Sequence, residues 1–425
     1  MNSKSLLSLM PVALGLTIIP SAGLAAEGIN TGDTAWMLIS SALVLLMLPG
    51  LALFYAGMVR AKNVLSTTMH TFAAMAIIGV QWVVIGYTLA FGGAGPFIGS
   101  LKNVFLCGIT PDSLNGTIPT YAFVMFQGMF AIITPALISG AVAARMKFST
   151  YCVFILLWSV LVYDPLAHWV WGEGGWLLEL GALDFAGGTV VHLSSGISAL
   201  LLAIFLGKRI GFPHERMAPH NLPMTLLGAG LLWVGWFGFN AGSALTAGGS
   251  AALAFTTTQT AAAAAALSWM LLEWLLAGKP SALGIASGIV AGLVTITPAA
   301  GFVTPGWAIV MGLMGGAVCY GGVMLKHKFH YDDSLDVFGI HGLGGAFGAL
   351  ATGVFATVGA SGLITGNFHQ FWVQLVGIAA AAGYAAAVTT IILLVLKATM
   401  GLRVSREEEI TGLDQSAHSE TGYNF

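Results

Sequence analysis

The chain has 425 residues, of which 57% are hydrophobic and only 8% are charged, and its formal net charge is −2. Because a soluble domain carries about 25% charged residues, this composition excludes a water-soluble globular protein and predicts an all-α polytopic membrane protein. The 57 glycines fit closely packed membrane helices, since small residues let helix backbones approach each other within lipid. The cysteines Cys107, Cys152 and Cys319 lie far apart without CxxC spacing, which argues against a disulfide framework or a cysteine metal site.

The first 25 residues have the features of a cleaved secretory signal peptide. Lys4 supplies a positive charge, Leu6 to Ile19 form a short apolar run, and the small residues of "SAGLA" precede a predicted cut after Ala25. A retained first transmembrane helix is the alternative interpretation. The predicted organisation is therefore a signal peptide over 1–25, a transmembrane domain over 26–400 and a cytoplasmic C-terminal tail over 401–425, with the mature N-terminus outside the cell.

Eleven apolar segments follow the signal peptide, and each is close to the roughly 20 residues that a spanning helix needs. They cover 33–58, 64–92, 120–144, 148–171, 187–206, 223–242, 250–277, 281–301, 306–325, 337–357 and 367–396. The sequence therefore predicts eleven transmembrane helices.

The distribution of basic residues supports this count. The connections after the odd-numbered helices hold Arg60, Lys62, Arg145, Lys147, Lys208, Arg209, Arg216, Lys279, Lys326 and Lys328, and the tail adds Lys397, Arg403 and Arg406. The connections on the other side hold only Lys102. Since cytoplasmic loops carry an excess of Lys and Arg, the pattern predicts an outside N-terminus and a cytoplasmic C-terminus.

The fifth and tenth helices resemble each other. "VVHLSSGISAL" and "GIHGLGGAFGAL" each contain a histidine, His192 or His341, with a glycine four positions later. An aspartate precedes each one: Asp184 lies eight residues before His192, and Asp336 lies five residues before His341. Repeats of five helices, an odd number, would be inverted relative to each other across the membrane. The sequence thus predicts inverted repeats of helices 1–5 and 6–10, plus a long eleventh helix.

The two histidines are unusual because polar side chains are costly inside a bilayer. One histidine on an apolar helix is most often a packing residue. His192 and His341, however, would face each other across the axis that relates two inverted repeats. Neutral imidazoles offer one donor and one acceptor nitrogen, so a pair can line a narrow pore without fixed charge. Such a lining suits a small polar molecule better than a bare cation, which needs rings of carbonyls or carboxylates.

Aromatic residues form a second cluster of interest. Phe126 and Phe130 are four residues apart on one face of the third helix, and Trp171 ends the fourth helix. Facing aromatic rings can hold a cation, with about 0.5–2 kcal/mol per ring, although an interfacial aromatic belt is the other interpretation of Trp171. The end of the sixth helix adds Trp236, Phe239 and Ser243. The Ser243 hydroxyl is able to accept a hydrogen bond from an N–H donor.

These residues lie within motifs that resemble those of the ammonium transporter family (Amt/Mep, related to the Rhesus proteins). "RAKNVLS", "FQGMFA", "LDFAGGTVVH", "PHNLPM", "GWFGFNAGSA", "GKPS", "DVFGIHG" and "GLRVSREEEITGLD" occur in family order over nearly the whole mature chain. The resemblance, closest to the bacterial Amt type, implies a transporter or channel rather than an enzyme, without a cofactor or metal. It also implies a homotrimer with one pore per subunit in the lipid bilayer of a bacterial plasma (inner) membrane, a PII-type signalling protein as cytoplasmic partner, and no nucleic acid.

The resemblance also implies residue roles. Phe126, Phe130, Trp171 and Ser243 would form an outer ammonium recruitment site, Phe130 and Phe239 a gate below it, Trp236 the pore wall, and His192 and His341 the twin histidines of the pore. Asp184 would support the recruitment site, by ordering nearby backbone carbonyls rather than by touching the ion. Two departures matter: Glu173 in a loop expected to be glycine-rich leaves Trp169 or Trp176 as alternatives to Trp171, and Ser419 occupies a tail position where the family often has glycine, which leaves PII coupling open.

The implied mechanism is recruitment of ammonium, deprotonation below the gate and passage of ammonia along the histidines, with methylammonium as a further candidate substrate. Net proton transfer and electroneutral conduction both remain open. An ammonium sensor with incidental conduction is one alternative, although the tail after Lys397 is short for a signalling domain. A Rhesus-type substrate preference is another. A haem-bearing redox subunit is a third, since paired histidines can ligate haem iron.

Overall fold

The computed structural model describes residues 28–215 and 217–424. Within these described residues, eleven apolar helices form one bundle: α1 Thr31–Met58, α2 Ala61–Phe91, α3 Thr120–Val142, α4 Phe148–Glu179, α5 Gly188–Leu206, α6 Leu222–Gly242, α7 Gly249–Ala277, α8 Ala282–Ile296, α9 Pro305–Phe329, α10 Phe338–Phe355 and α11 Phe368–Thr399. Two short tail helices follow, α12 Arg406–Thr411 and α13 Leu413–His418. A two-stranded hairpin, β1 Leu114–Asn115 and β2 Ile118–Pro119, precedes α3. The predicted signal peptide and its cut after Ala25 lie outside the described residues.

Each of the eleven predicted segments corresponds to one helix. Ten of the helices in the described part of the chain are long and apolar enough to cross a membrane, while α8 has only 15 residues, about 22 Å of helix. The sequence predicted this helix to continue to residue 301, but it ends at Ile296 and the chain continues in turns. Pro298, which lacks a backbone N–H, cannot extend the helical hydrogen-bond ladder, and its carbonyl instead accepts from the N–H of Phe185, 3.0 Å away.

The two halves of the bundle interlock through equivalent helices. α1 packs along α6, and α5 crosses α10. At the second crossing, a Cβ on Gly196 would collide with the backbone of Gly342, and a Cβ on Gly345 would lie 2.6 Å from the Gly188 carbonyl oxygen. Glycine is therefore required four residues after each histidine, because no side chain fits between the two backbones.

The predicted equivalence of His192 and His341 also extends to local backbone structure. α5 starts with a π-helical stretch, Gly188–Leu193, and α10 starts with another, Phe338–Gly342. Each stretch contains one of the two histidines. π-Helical turns are rare and occur frequently at functional sites.

The structure corrects the predicted partner of Asp184 in the second half. Asp333, not Asp336, is the equivalent residue: its Oδ2 accepts from the N–H of Phe338 at 2.8 Å, as Asp184 Oδ2 accepts from Thr189 at the same distance. Both contacts span five residues, and both aspartates precede their histidine by eight. Asp336 instead pairs with Lys326 at 2.5 Å. In the sequence Asp184 precedes His192 by eight residues, whereas Asp336 precedes His341 by only five. This difference already indicated that Asp336 was the wrong partner.

The two ends of the bundle differ in content. The end that carries Asp184 is called the mouth face below, and the opposite end, where the C-terminal tail docks, the tail face. The Asp414 carboxylate of α13 accepts from the backbone N–H of Ser66 at 2.7 Å and of Leu65 at 3.1 Å, near the beginning of α2. The Lys62 ammonium donates to the Glu409 carbonyl at 3.1 Å. The tail is thus packed against the bundle.

Candidate functional site

A continuous column of rings leads from the mouth face into the bundle. Trp171 of α4 meets Phe130 of α3 edge to face, with centroids 6.0 Å apart and planes at 86°. Phe130 lies 4.1 Å from Phe239 of α6, and Phe239 stacks on His192 at 6.0 Å. His192 then stacks on His341 at 5.2 Å. Five residues that the sequence selected from five different helices are therefore brought together in one line.

The upper part of the column borders a cavity of about 200 Å³. Phe130, Trp171 and Ser243 line it, together with Phe185, which sequence reasoning missed. The Ser243 hydroxyl donates to the Phe239 carbonyl at 2.9 Å, so its oxygen lone pairs are free to accept an N–H donor. Phe126 is fully buried, and its ring packs 5.0 Å from that of Phe130. It therefore supports the Phe130 ring from behind rather than facing the cavity.

Asp184 organises the first turn of α5. Its carboxylate accepts from the backbone N–H of Gly187 at 2.8 Å, Gly188 at 2.6 Å and Thr189 at 2.8 Å, and from the Thr189 hydroxyl. A carboxylate at a helix N-terminus satisfies donors that have no partner within the helix. The carboxylate thus binds backbone amides, and the carbonyl of Asp184 itself accepts from Trp171 Nε1 at 2.9 Å.

The structure distinguishes Trp171 from the two other tryptophans of the same segment. Trp171 contacts Phe130 and lines the cavity. Trp169 donates to the Phe97 carbonyl at 2.8 Å and packs against Trp176, 5.6 Å away. Trp171 is therefore the tryptophan whose ring borders the mouth cavity.

Below the two phenylalanines the path narrows to a lumen of about 10 Å³, which is about one water position. His192 Nδ1 and His341 Nδ1 lie 3.2 Å apart, a hydrogen bond that requires one ring to donate and the other to accept. His192 Nε2 is buried without a hydrogen-bond partner among the described residues. Trp236 stacks on His192 at 5.4 Å, and its Nε1 donates to the Thr297 hydroxyl at 2.9 Å, which fixes the indole in place.

This geometry limits the chemistry of the site. Two imidazoles in direct hydrogen-bond contact leave no space for a porphyrin between them, so the arrangement does not fit haem ligation. Among residues 28–215 and 217–424, no group of three or more His, Cys, Asp or Glu side chains is placed to hold a metal ion. The stacked Phe130 and Phe239 rings separate the mouth cavity from the lumen. A hydrated cation does not fit such a lumen, whereas a small neutral molecule with N–H donors does.

Comparisons with known proteins agree with these features. The profile described as Ammonium Transporter Family matches residues 35–423. The ammonium transporter of Bacillus subtilis is 53% identical over 400 residues, which covers 92% of this chain and 98% of that protein. The chain belongs to the ammonium transporter family.

Solved structures of family members share the fold. The crystal structure of Saccharomyces cerevisiae Mep2 superposes with a TM-score of 0.84 at 38% identity, covering 90% of this chain and 89% of that one. A structure described as Sensor Amt Protein gives a TM-score of 0.86 at 30% identity, covering 91% and 98%. The family and the multi-pass membrane architecture that the sequence predicted are thus confirmed.

Several residues of this ammonium transporter family member escaped the sequence reasoning. Gln374 contacts the segment before Asp184, Thr297 fixes Trp236, and Asp333 caps α10. The sequence did contain a signal for Gln374, because Gln370 and Gln374 are polar residues one turn apart at the apolar beginning of α11. A pair with this spacing lies on one helix face and indicates a shared polar contact.

Proposed function

We propose that this protein carries ammonium across the membrane by binding NH4+ in the mouth cavity, deprotonating it below Phe130 and Phe239, and conducting NH3 past His192 and His341. The observation that carries the proposal is the hydrogen-bonded histidine pair, stacked beneath Phe239 in a lumen of about 10 Å³. Family membership supports the substrate, since relatives of high identity are named ammonium transporters.

The mouth cavity offers ammonium the contacts that a small cation with four N–H donors needs. The faces and edges of Trp171 and Phe130 border the cavity, and ring faces attract cations. The Ser243 oxygen provides an acceptor. Asp184 contributes negative charge nearby and holds the loop in place through its amide contacts. The cavity of about 200 Å³ is large enough to admit methylammonium as well.

The lumen favours the neutral form of the substrate. Its lining is apolar apart from the imidazoles, and an unpaired charge in such an environment is strongly disfavoured. Ammonia can accept from one imidazole N–H and donate to a bare imidazole nitrogen. The proton either returns to the mouth side or passes along the two histidines, and these routes correspond to electroneutral conduction and electrogenic transport.

The proposed cellular setting follows the distribution of charge. Basic residues in the connections around Lys62, Arg145 and Arg209 lie on the tail face, close to the docked tail. By the positive-inside rule this face is cytoplasmic and the mouth opens outside, in a bacterial inner membrane. The proposal includes a homotrimer with one pore per subunit and a PII-type protein that contacts the tail face. Transport of this kind involves no covalent chemistry, so no enzymatic activity is proposed.

An ammonium sensor with incidental conduction is the second candidate. The observation in its favour is the TM-score of 0.86 with the Sensor Amt Protein, because one fold evidently serves proteins with either description. The fold alone therefore does not separate the two functions, and a measurement of conduction does.

The test uses purified protein in proteoliposomes, with an ammonium pulse and simultaneous records of capacitive current and internal pH. The wild type is expected to raise internal pH, and His192→Ala to reduce the response at least about tenfold, since it removes one half of the buried hydrogen-bonded pair. His369→Ala, an exposed histidine at the beginning of α11, serves as the control and is expected to match the wild type.

A current that His192→Ala abolishes would show that net charge crosses by way of the histidines. A pH change without current would show that only ammonia crosses. Neither signal in the wild type would contradict transport and favour the sensor.

A further inference from the structure

The loop that carries Asp184 is held in place by helix α11. Gln374 of this helix is 3% exposed. Its Oε1 accepts from the Leu183 N–H at 2.7 Å, and its Nε2 donates to the Leu183 carbonyl, also at 2.7 Å. The two contacts fix both peptide groups of the residue directly before Asp184.

The same side chain also reaches the helix that carries His341. Gln374 Nε2 donates a second hydrogen bond to the Ala349 carbonyl of α10 at 2.9 Å. Gly353 provides the space, because a Cβ there would lie 2.8 Å from Gln374 Cγ. One amide therefore joins the mouth loop, the second pore helix and α11.

We propose that Gln374 is a positioning residue for the recruitment of ammonium, an inference that rests on the proposed function. It does not touch the mouth cavity but acts through Leu183 on Asp184. The Asp184 carbonyl accepts from Trp171 Nε1 at 2.9 Å, so the position of this loop sets the position of the indole ring. A displaced loop would move a cation-binding ring away from the Ser243 hydroxyl.

Gln370, one turn earlier on α11, provides a matched control within the same chain. Its Nε2 donates to the Gly181 carbonyl at 2.9 Å and to Gln374 Oε1 at 3.3 Å. It contacts the same loop, but at a single point and three residues before Asp184. Replacing Gln370 therefore removes the Gly181 contact and one long donor contact to Gln374 Oε1, whereas both contacts of Gln374 with the Leu183 peptides remain.

The test measures the ammonium concentration that gives half of the maximal rate, together with the maximal rate, in proteoliposomes. Gln374→Met is expected to raise the half-saturating concentration about tenfold, because it leaves the Leu183 peptides without their buried partners, with the maximal rate changed less than about twofold. Gln370→Met is expected to change neither value by more than about twofold. Gln374→Glu keeps the shape and the acceptor for the Leu183 N–H but places a carboxylate oxygen against the Leu183 and Ala349 carbonyls, so its shift should be at least as large, about tenfold or more.

Combining Gln374→Met with Trp171→Phe gives a measurement that general destabilisation of the protein would not change. Since both side chains hold the same loop, the double variant should shift half-saturation by less than the product of the single shifts. An unchanged half-saturating concentration with a reduced maximal rate, or failure of both Gln374 variants to yield folded protein, would make the residue structural and overturn the proposal. Absence of ammonium transport in the wild type would instead refute the proposed function itself.

Discussion

The mouth face and the tail face are held together by different chemistry. All three salt bridges found within residues 28–215 and 217–424 lie on the tail face: Arg209–Asp332 at 2.7 Å, Lys326–Asp336 at 2.5 Å and Arg403–Glu409 at 2.7 Å. On the mouth face, the Asp184 carboxylate is satisfied by backbone amides, and its loop is held by the neutral amide of Gln374. The tail face combines ion pairs with a carboxylate bound by backbone amides, that of Asp414, whereas the Asp184 carboxylate of the mouth face is bound by neutral donors alone.

The difference follows from what each face is proposed to bind. A lysine or arginine beside a cation-binding cavity would repel the substrate, so the negative end of the site needs neutral donors as partners. The tail face has no such restriction, and its ion pairs join the loop after α5 to the loop before α10, helix α9 to that same loop, and two parts of the tail to each other. Asp184 and Asp333 show the contrast within one type of contact. Both cap a helix that carries one histidine of the hydrogen-bonded pair, but only Asp184 lies beside the mouth cavity.

The largest effect is expected when Asp184 is replaced and the result is compared with the same replacement of Asp333. Asp184→Asn loses the charge and places an NH2 group against backbone N–H donors, so ammonium uptake should fall at least about 100-fold. Asp333→Asn should reduce uptake less than about tenfold. The rate of ammonium uptake per folded protein in proteoliposomes measures the effect of each substitution.

The smaller effect at Asp333 has an electrostatic reason. Burial and the nearby Asp336 charge raise the pKa of the Asp333 carboxyl to about 6, against about 3.9 in an unfolded chain. As pH falls from 7 to 5 the folded carboxyl takes up a proton before the unfolded one, which stabilises the fold. Asparagine resembles the protonated acid, so the difference between the wild type and Asp333→Asn should shrink over this interval. Equal losses in the two variants at pH 7 would contradict the comparison.

A second, smaller effect concerns the ion pairs of the tail face. Arg209→Met should lower the free energy of unfolding by about 3 kcal/mol, because it removes the paired cation of the buried Asp332 and leaves only the smaller charge contribution of Arg145. Burial disfavours the charged form of Asp332, but hydrogen bonds and charge from Arg209 outweigh it, and the pKa lies below its usual value. The wild-type pair is therefore intact above about pH 4 and is lost as pH falls through the depressed pKa.

Thermal melts in detergent between pH 4 and 8 measure the contribution of the Arg209–Asp332 pair to stability. The difference in Tm between the wild type and Arg209→Met should be constant from pH 8 to 6 and should decrease towards pH 4, where the unpaired Asp332 of the variant becomes protonated. Lys279→Met, in an exposed connection on the same face, is the control. A Tm difference that is equally large at pH 4 would show that lost packing, not lost pairing, causes the destabilisation.

Most of the fold and the centre of the site could be predicted from the sequence because a membrane protein tolerates few polar residues. Eleven apolar segments define the helices, and His192, His341 and Asp184 stand out where charge and polarity are costly. The prediction chose Asp336 although Asp333 has the eight-residue offset of Asp184, because spacing does not show how the loop turns and which carboxylate reaches the first turn of α10. Ion pairs with Arg209 and Lys326 occupy the neighbouring Asp332 and Asp336.

The sequence also could not predict how deeply a given side chain lies within the bundle. Helical periodicity places Phe126 and Phe130 on one face of α3, but Gly242 of α6 determines that Phe126 is buried behind its neighbour. The end of α8 at Ile296 had a local signal in Pro298, which lacks a backbone N–H, but the contact of its carbonyl with the Phe185 N–H had none. Such features arise from contacts between helices that are distant in sequence, and apolar character alone does not encode them.

The smallest effect concerns the tail itself. Ser419 ends α13 with φ 55° and ψ 33°, a left-handed conformation that costs a residue with a Cβ about 1 kcal/mol or more relative to glycine. Ser419→Gly should therefore strengthen tail docking by about 0.5–1 kcal/mol, slowing hydrogen exchange over residues 413–418. Ala417→Gly, at an exposed helical position two residues earlier, should weaken docking by a similar amount. Faster exchange in Ser419→Gly would mean that the serine hydroxyl makes a contact that stabilises the docked tail. The tail face would then be stabilised by neutral polar contacts as well as by ion pairs.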